Sequence, residues 1–89
     1  MRIISPTSRF DRDLKNSIKR KKDISKLEVV VKLLSKDGKL SSKYRPHPLI
    51  GEWLPSWECH IEPDWLLIYQ VSKTHVYLFR VGSHSDLFN

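Results

Sequence analysis

The sequence predicts an α+β fold in which two N-terminal helices pack on a mostly antiparallel sheet of about four strands. Apolar residues recur at helical spacing between residues 8 and 36, and strand-like segments with short connections follow from residue 57 onward. Connections this short join only antiparallel neighbours, and each apolar stripe must be buried against another element. The chain of 89 residues fits one domain, residues 1–89.

Residues 2–4 form a short β-like segment, and the Ser-Pro-Thr-Ser sequence at residues 5–8 breaks it and supplies candidate helix N-caps. Ser8 is followed three residues later by Asp11, and the first helix is predicted to begin there and to end near Lys22. Its apolar positions recur every four residues, at Phe10, Leu14 and Ile18. This spacing is typical of an amphipathic helix.

A second helix is predicted between Asp23, a plausible N-cap, and Asp37-Gly38, which ends it. Its apolar positions follow i, i+3, i+4 spacing: Ile24, Leu27, Val30, Val31 and Leu34. The β-branched run at residues 29–31 would also suit a strand. The periodicity favours the helix, because a local propensity is worth only roughly tenths of a kcal/mol per residue.

Residues 39–48 are predicted to form a loop, because Pro46 and Pro48 resist both a helix and a central strand. Strands are predicted at Trp53 and over residues 57–62, 65–71 and 76–81. Pro63-Asp64 is a turn pair, and residues 72–75 connect the last two strands. The predicted order is therefore a short strand, two helices, and three or four strands.

Charge is divided unevenly along the chain, whose formal net charge is +6. Residues 1–45 hold 14 Lys or Arg against 5 Asp or Glu, a balance of +9. Residues 46–89 hold 2 against 5, a balance of −3, and contain all four histidines. The basic half suits a polyanion such as nucleic acid, and the other half suits chemistry on it. An ordinary solvated pair of lysine-rich helices would have the same balance.

Cys59 is the single cysteine, so neither an internal disulfide nor a CxxC metal pair can form. A lone thiol favours a reducing compartment, and we expect a cytoplasmic protein. Residues 2–6 lack the apolar stretch of a signal peptide, and no run approaches the length of a membrane span, so no membrane partner is expected. The longest apolar run, residues 65–69, is typical of a buried strand.

Titratable side chains collect in the strand-rich half. Strand alternation places His60 on the same face as Glu58 and Glu62, Asp64 follows at the turn, and His84 follows the last strand. Convergence of these groups at one end of the sheet would suit RNA cleavage. Imidazoles, with an ordinary pKa of about 6.5, can accept the 2′-hydroxyl proton and protonate the departing 5′-oxygen at neutral pH. Arg or Lys would serve the phosphate.

Each candidate also has a purely structural interpretation. His47, between two prolines, is either a rigid loop residue or a site residue. His60 and Asp64 can form a hydrogen-bonded turn, and His84 can belong to a polar tail. His75 lies in a hairpin loop and is predicted to face solvent without a role in the site. The aromatic residues are predicted to be core rather than base-stacking platforms: Trp53, Trp65, Tyr69, Tyr77 and Phe79.

Metal-ligand spacing is absent from the sequence, which contains no HxxxH, HExxH or CxxC pattern. Neither a metal nor another cofactor is therefore expected.

An ordered set of residues resembles the YafQ branch of the RelE-like (RelE/ParE) toxins of toxin–antitoxin systems. It consists of His47-Pro48-Leu49, Gly51, Trp53, His60-Ile61-Glu62-Pro63-Asp64-Trp65, Ile68-Tyr69, Arg80-x-Gly82-x-His84 and Leu87-Phe88. The helix-forming residues 8–36 also fit the layout of that family. The resemblance therefore covers essentially the whole chain.

The resemblance implies a RelE-like fold and a ribosome-dependent mRNA endonuclease (mRNA interferase) that enters the ribosomal A site and cuts the bound messenger. It implies two groups of site residues: catalytic His47, His60, Asp64 and His84, and substrate-binding Arg80 and Phe88, with Trp65 as a structural or accessory member. Arg80 would face the scissile phosphate. The implied partners are a cognate antitoxin protein, which holds the toxin inactive, and the ribosome with bound mRNA. The implied reaction uses acid–base groups and the RNA 2′-hydroxyl, without a metal.

Trp57 departs from the family pattern, in which a basic residue stands three positions before the equivalent of His60. The departure removes a charge near the expected site, so weaker activity or an altered codon preference is expected.

Two other functions remain open on the sequence. One is a basic nucleic-acid-binding module without catalysis, and the other is an interaction protein whose basic helices meet an acidic partner. Convergence of the four candidate catalytic residues would favour the enzyme, because a binding module needs Arg, Lys and aromatic residues at that place.

Overall fold

Five strands form one mixed sheet within residues 1–51 and 55–88, which this computed structural model describes. The elements follow in the order β1 (Ile3–Pro6), α1 (Ser8–Lys19), α2 (Ile24–Asp37), a 3-10 turn (Ser42–Tyr44), β2 (His47–Pro48), β3 (Trp57–Glu62), β4 (Trp65–Val71), β5 (His75–Gly82) and α3 (His84–Phe88). Trp53, which the sequence predicts to lie in a strand, is outside the described residues.

The strands lie in the order β1-β5-β4-β3-β2 across the sheet. β3, β4 and β5 form the predicted antiparallel meander, and β2 adds an antiparallel edge strand. β1 pairs in parallel with β5, beginning with Ile3 beside His75. The α+β class is confirmed, with five strands rather than about four because His47-Pro48 also joins the sheet. Proline is tolerated there because an edge strand pairs on one side only.

The ends of α1 differ slightly from the predicted ones. The Phe10 N–H donates to Thr7 Oγ1 at 3.1 Å, so Thr7 rather than Ser8 caps the helix. The helix ends at Lys19, before the predicted end near Lys22.

α2 has the caps that the sequence predicts. The Ser25 N–H donates to Asp23 Oδ1 at 3.1 Å. At the other end, Gly38 has a φ of 73°, and its N–H donates to the Leu34 carbonyl at 2.9 Å. This left-handed turn is the usual helix ending that favours glycine. The β-branched run at residues 29–31 is therefore helical, as its periodicity predicts.

The main core lies between the two long helices and one face of the sheet. Its buried members are Phe10, Leu27, Val30, Leu34, Cys59, Trp65, Leu67, Tyr69, Val76, Leu78 and Val81. None of the helices in the described residues is long and apolar enough to cross a membrane.

The opposite surface of the sheet, here called the outer face, has a smaller apolar cluster. Leu66, Ile68 and Leu87 form this cluster, and Leu49 and Phe79 pack against it. Glu58 pairs with Ile68 and His60 pairs with Leu66, so both polar side chains of β3 belong to the outer face. The outer face therefore presents titratable groups beside a small apolar patch.

Candidate active site

His84 begins α3 and is held by Asp64, which lies in the turn between β3 and β4. Asp64 Oδ1 is 2.9 Å from the His84 backbone nitrogen and 2.6 Å from His84 Nδ1. A carboxylate only accepts hydrogen bonds, so Nδ1 carries the proton and Nε2 remains for proton transfer. The pKa of Asp64 is lowered, first by the backbone N–H of His84 and then by its imidazole.

The sheet brings these two residues together because Leu66 of β4 pairs with Gly82 of β5. This register places the end of β5 beside the start of β4. Asp64 comes one residue before the start of β4, and His84 comes two residues after the end of β5. Two positions that lie twenty residues apart in the chain therefore meet at one edge of the sheet.

α3 has five residues and is too short to be stable alone, so tertiary contacts position it. Asp86 accepts from the Ser83 N–H at 3.0 Å, and Ser83 Oγ accepts from the Asp86 N–H at 3.1 Å. Asp86 also forms an ion pair with Arg20, beyond the end of α1, and this contact lowers the pKa of Asp86 to about 2. Gly82 permits the approach, because a Cβ there would lie 3.0 Å from the Asp86 carboxylate. Leu87 is buried in the outer-face cluster.

His47 lies in β2 beside its register partner Glu58. His47 Nδ1 is 3.0 Å from the Arg45 carbonyl oxygen, and Nε2 is 2.8 Å from Glu58 Oε2. Since the carbonyl only accepts, Nδ1 donates to it, and the second contact requires another proton. The His47–Glu58 pair therefore holds this proton as an imidazolium beside a carboxylate, or as a neutral imidazole beside a carboxylic acid. The Glu58 side chain is 8% exposed.

His60 stands between the other two histidines on the outer face. Its ring centroid is 6.2 Å from that of His47 and 5.9 Å from that of His84. His60 Nδ1 contacts the Pro63 carbonyl oxygen at 3.3 Å. In the part of the chain that the structure describes, no partner contacts Nε2 of His60 or of His84. The structure thus brings His47, His60 and His84 into one row, here called the histidine row, with Asp64 at one end and Glu58 at the other.

Arg80, predicted to face the scissile phosphate, pairs with Asp13 of α1. Its Nε and Nη2 donate to the carboxylate at 2.6 and 3.1 Å, and each side chain is 13% exposed. The hydrogen bonds that Arg80 donates to Asp13 raise the pKa of Arg80. The pair borders a polar cleft of about 210 Å³ that Arg20 and Asp86 also line. Nη1 and one N–H of Nη2 take no part in the pair with Asp13, so the phosphate role of Arg80 stays a prediction.

Trp65 is 1% exposed, and its Nε1 donates to Ser17 Oγ at 3.3 Å. Lys22 Nζ lies 5.6 Å from the ring centroid. An indole enclosed in this way does not reach a substrate directly, so of the two expected roles for Trp65, structural or accessory, its burial favours the structural one. Because Trp65 follows Asp64 directly, its burial anchors the turn that carries the carboxylate.

Phe88, at the end of α3, is 44% exposed. Its substrate contact stays a prediction.

Trp57 does not share the face of the histidine row. Strand alternation directs it away from the side of Glu58, and its side chain lines a cleft with Pro46, Pro55 and Tyr69. It is 42% exposed. The family's basic residue is therefore replaced at a position without direct contact to the histidines, and the expected effect on activity stays a prediction.

Glu58 and Asp86 are two site residues that sequence reasoning missed. Strand alternation places Glu58 on the face of His60, but only the pairing of β2 with β3 shows that it meets His47. The sequence does contain a pattern that could have identified Asp86. Ser83-x-x-Asp86 has the spacing of a capping box, which predicts that these two residues cap a helix.

Comparison with known proteins assigns the chain and its fold to a family. The chain matches the family model described as the bacterial toxin of type II toxin–antitoxin systems, YafQ, over residues 2–89. It is similar to the mRNA interferase toxin YafQ of Escherichia coli strain K12, with 36% identity over 88 residues, 98% of this chain and 96% of that protein.

Solved structures agree with this result. A chain of the crystal structure of the E. coli DinJ–YafQ toxin–antitoxin complex has a TM-score of 0.90 at 36% identity, covering 99% of this chain and 98% of that one. A metal-bound toxin from Helicobacter pylori has a TM-score of 0.90 at 42% identity, covering 99% of this chain and 100% of that one. From the family match and these similarities, the chain belongs to the YafQ family of bacterial toxins of type II toxin–antitoxin systems.

Proposed function

We propose that this chain is an mRNA interferase, a ribosome-dependent endoribonuclease that cuts messenger RNA by means of the RNA 2′-hydroxyl. The observation that carries the proposal is the pair of imidazoles of His60 and His84, whose ring centroids are 5.9 Å apart on the outer face. Each ring has its Nδ1 in a hydrogen bond, and its Nε2 forms none with residues 1–51 and 55–88. The similarity to a protein named mRNA interferase toxin supports the same activity.

The reaction needs two proton transfers, which these two imidazoles supply. One imidazole accepts the 2′-hydroxyl proton while the 2′-oxygen forms a bond to phosphorus. The P–O5′ bond breaks, and the other, protonated imidazole donates its proton to the departing 5′-oxygen. The products are a 2′,3′-cyclic phosphate and a 5′-hydroxyl. Asp64 orients His84 for this step by fixing the proton on Nδ1.

Positive charge beside the phosphate stabilises the negative charge that develops during the reaction. Both ring nitrogens of His47 are engaged, so we assign His47 and Glu58 to positioning beside the phosphate, with positive charge on His47 only when it holds the shared proton. Arg80 has N–H groups that Asp13 does not use, and these are suited to a phosphate oxygen. Phe88 offers an exposed ring for a neighbouring base.

The partners in this proposal are the ribosome with bound mRNA and a cognate antitoxin. The basic half of the chain, with a balance of +9 over residues 1–45, suits both ribosomal RNA and an acidic antitoxin segment. The E. coli relative was crystallised as a DinJ–YafQ toxin–antitoxin complex, which supports the second partner. Ribosomes and messenger place the protein in the cytoplasm.

We propose that the cleavage needs no metal, because His60 and His84 can complete both proton transfers. Within residues 1–51 and 55–88, no group of three or more His, Cys, Asp or Glu side chains is arranged to hold a metal ion. The metal-bound state of the H. pylori relative makes a chelator the appropriate check.

Cleavage of messenger on programmed ribosomes tests the proposal. New RNA ends are mapped after addition of the protein, with His84→Ala in parallel and with EDTA in a third reaction. We expect ribosome-dependent cuts with cyclic phosphate ends, retained in EDTA and strongly reduced in His84→Ala. Efficient, site-specific cutting of naked messenger at catalytic protein concentrations contradicts ribosome dependence. A folded protein that binds ribosomes without cutting is instead a binding module.

A further inference from the structure

Three aromatic side chains stand one behind another along β5. The ring centroids of His75 and Tyr77 are 5.5 Å apart with an interplanar angle of 10°, and those of Tyr77 and Phe79 are 6.4 Å apart at 13°. All three residues are partly exposed. They are alternate residues of one strand and share the outer face, and we call them the aromatic row.

This arrangement differs from the sequence prediction. Tyr77 and Phe79 are predicted to be core and His75 a turn residue without a role, yet Tyr77 belongs to neither apolar cluster formed by the described residues. Phe79 packs at the margin of the smaller cluster. The row therefore keeps part of its aromatic surface exposed to solvent, beyond the contacts that the rings make with one another.

The aromatic row continues the surface of the histidine row. Phe79 packs against the cluster that contains Leu87, a residue of the same short helix as His84. Glu58 pairs with Ile68, which in turn pairs with the residue after Phe79. Phe79 therefore lies about two strand spacings, roughly 10 Å, from Glu58. From there the row runs along β5 away from the histidines.

We propose that the aromatic row is a stacking surface for unpaired bases of the RNA strand that passes through the active site. This inference rests on the proposed function, because it extends the same site along the same strand. Stacking on an aromatic ring accepts any base and is worth enough per base to hold a nucleotide in place. The ring centroids are only 5.5 and 6.4 Å apart, so bases stack against the exposed parts of the row and do not insert between neighbouring rings.

The surroundings of Tyr77 favour RNA over a protein segment. Its cross-strand neighbours are Ser5 in β1 and Gln70 in β4, and both side chains can form hydrogen bonds with base edges. The formal net charge of +6 attracts phosphates to the protein as a whole, although residues 46–89, which contain the row, have a balance of −3. A protein-docking face would instead depend on an apolar centre with few polar neighbours.

Binding of a short single-stranded RNA tests the inference without ribosomes and without cleavage. The probe contains 2-aminopurine, whose fluorescence is quenched by stacking, and carries 2′-O-methyl groups that remove the nucleophile. We expect quenching by the native protein at low salt and about 5- to 150-fold weaker binding by Tyr77→Leu. Tyr77→Phe should bind like the native protein. The salt dependence should be the same for all three, because stacking releases no counterions.

Ile3→Ser is the matched control, because Ile3 lies beside His75 at the edge of the sheet, is 62% exposed and has no ring. We expect it to leave RNA binding unchanged. If Tyr77→Leu fails to fold, the Tyr77 ring signals of the native protein provide the test, since stacking shifts them on addition of RNA.

The inference is overturned by unchanged RNA affinity in folded Tyr77→Leu, or by a native protein that binds no RNA or leaves the probe unquenched. It is equally overturned if Tyr77→Leu loses antitoxin binding while RNA binding is intact, since the face then belongs to a protein partner. A protein that stacks the probe but never cuts ribosome-bound messenger would refute the proposed cleavage and leave the stacking surface in place.

Discussion

Asp64 fixes His84 at two points, the backbone N–H and the imidazole Nδ1, through the single oxygen Oδ1. One atom thus sets both the position of the first residue of α3 and the orientation of its ring. The Asp64 side chain is 67% exposed, and exposed contacts of this kind contribute little to folding. A substitution at Asp64 can therefore change the orientation of the His84 imidazole without unfolding the protein.

We expect Asp64→Asn to keep the fold and to lower single-turnover cleavage on ribosomes by about 10²- to 10⁴-fold. The asparagine oxygen can still accept from the backbone N–H, but it brings no negative charge to hold the proton on Nδ1 or to stabilise an imidazolium. Cleavage rates and thermal melting measure the two effects separately. A folded Asp64→Asn protein with the native rate would show that the carboxylate does not orient a catalytic ring.

His84→Ala should lower the same rate by about 10²- to 10⁴-fold, the usual worth of a positioned acid or base. Because the missing group is an imidazole, added imidazole should restore part of the activity. Thermal melting of the variant controls for general disturbance of the helix. If the loss of rate in His84→Ala follows a loss of melting temperature, the assignment of proton transfer to His84 is wrong.

Glu58→Gln should lower cleavage by up to about 10²-fold, because the amide removes the carboxyl that holds a proton with His47. Glu62→Gln is the matched control, since Glu62 lies on the same strand but pairs with Lys22 and Lys26 at 3.0 Å. We expect the control to cut normally. Equal losses in both variants would indicate a general effect of charge on RNA binding instead.

The acid stability of the protein should depend on Asp86. Its pKa in the folded protein is lowered from 3.8 to about 2, first by the hydrogen bond from Arg20. A lowered pKa gives stability that is fully present above the ordinary value and is lost as the pH falls through the folded one. Native protein should therefore lose stability between about pH 4 and pH 2 more steeply than Asp86→Asn.

Denaturant unfolding across this range measures the difference. Asp64 and Glu62, whose pKa values are also lowered, titrate in both proteins, so the difference between the two curves isolates Asp86. Parallel curves would mean that the Arg20–Asp86 pair does not form in solution.

The Cys59 thiol should react only when the sheet opens. The residue is fully buried, and burial raises the pKa of the thiol to about 12. Thiol reagents attack the thiolate, so labelling of the native protein should be slow and should accelerate with denaturant in step with unfolding. Stoichiometric labelling of the native protein within minutes would show that β3 opens without global unfolding.

The sequence is sufficient to predict elements whose ends depend on local chemistry. Asp23 and Gly38 delimit α2 as predicted, because capping and a left-handed turn involve only neighbouring residues. The parallel pairing of β1 with β5 and the joining of His47-Pro48 to β3 depend on contacts between distant segments. Local patterns contain no information about such pairing.

For the site as well, local patterns predict some contacts, whereas others depend on pairing between distant segments. The meeting of Asp64 with His84 follows from strand ends at one edge of a meander, which short connections predict. The partner of His47 depends on the register of an edge strand. Residues 76–79 form a continuous apolar run, so alternation does not show which members face outward. The prediction that Tyr77 is core is wrong for this reason.

The parallel pairing of β1 with β5 also determines when the sheet can be completed during synthesis. Hydrogen bonds such as Arg2 Nε to the Ser72 carbonyl, at 2.7 Å, join residues 70 positions apart. A growing chain therefore completes this sheet only after β5 has been synthesised, and closing such distant contacts is slow. His84 follows β5, so the proposed active site is complete only after nearly the whole sheet has been synthesised.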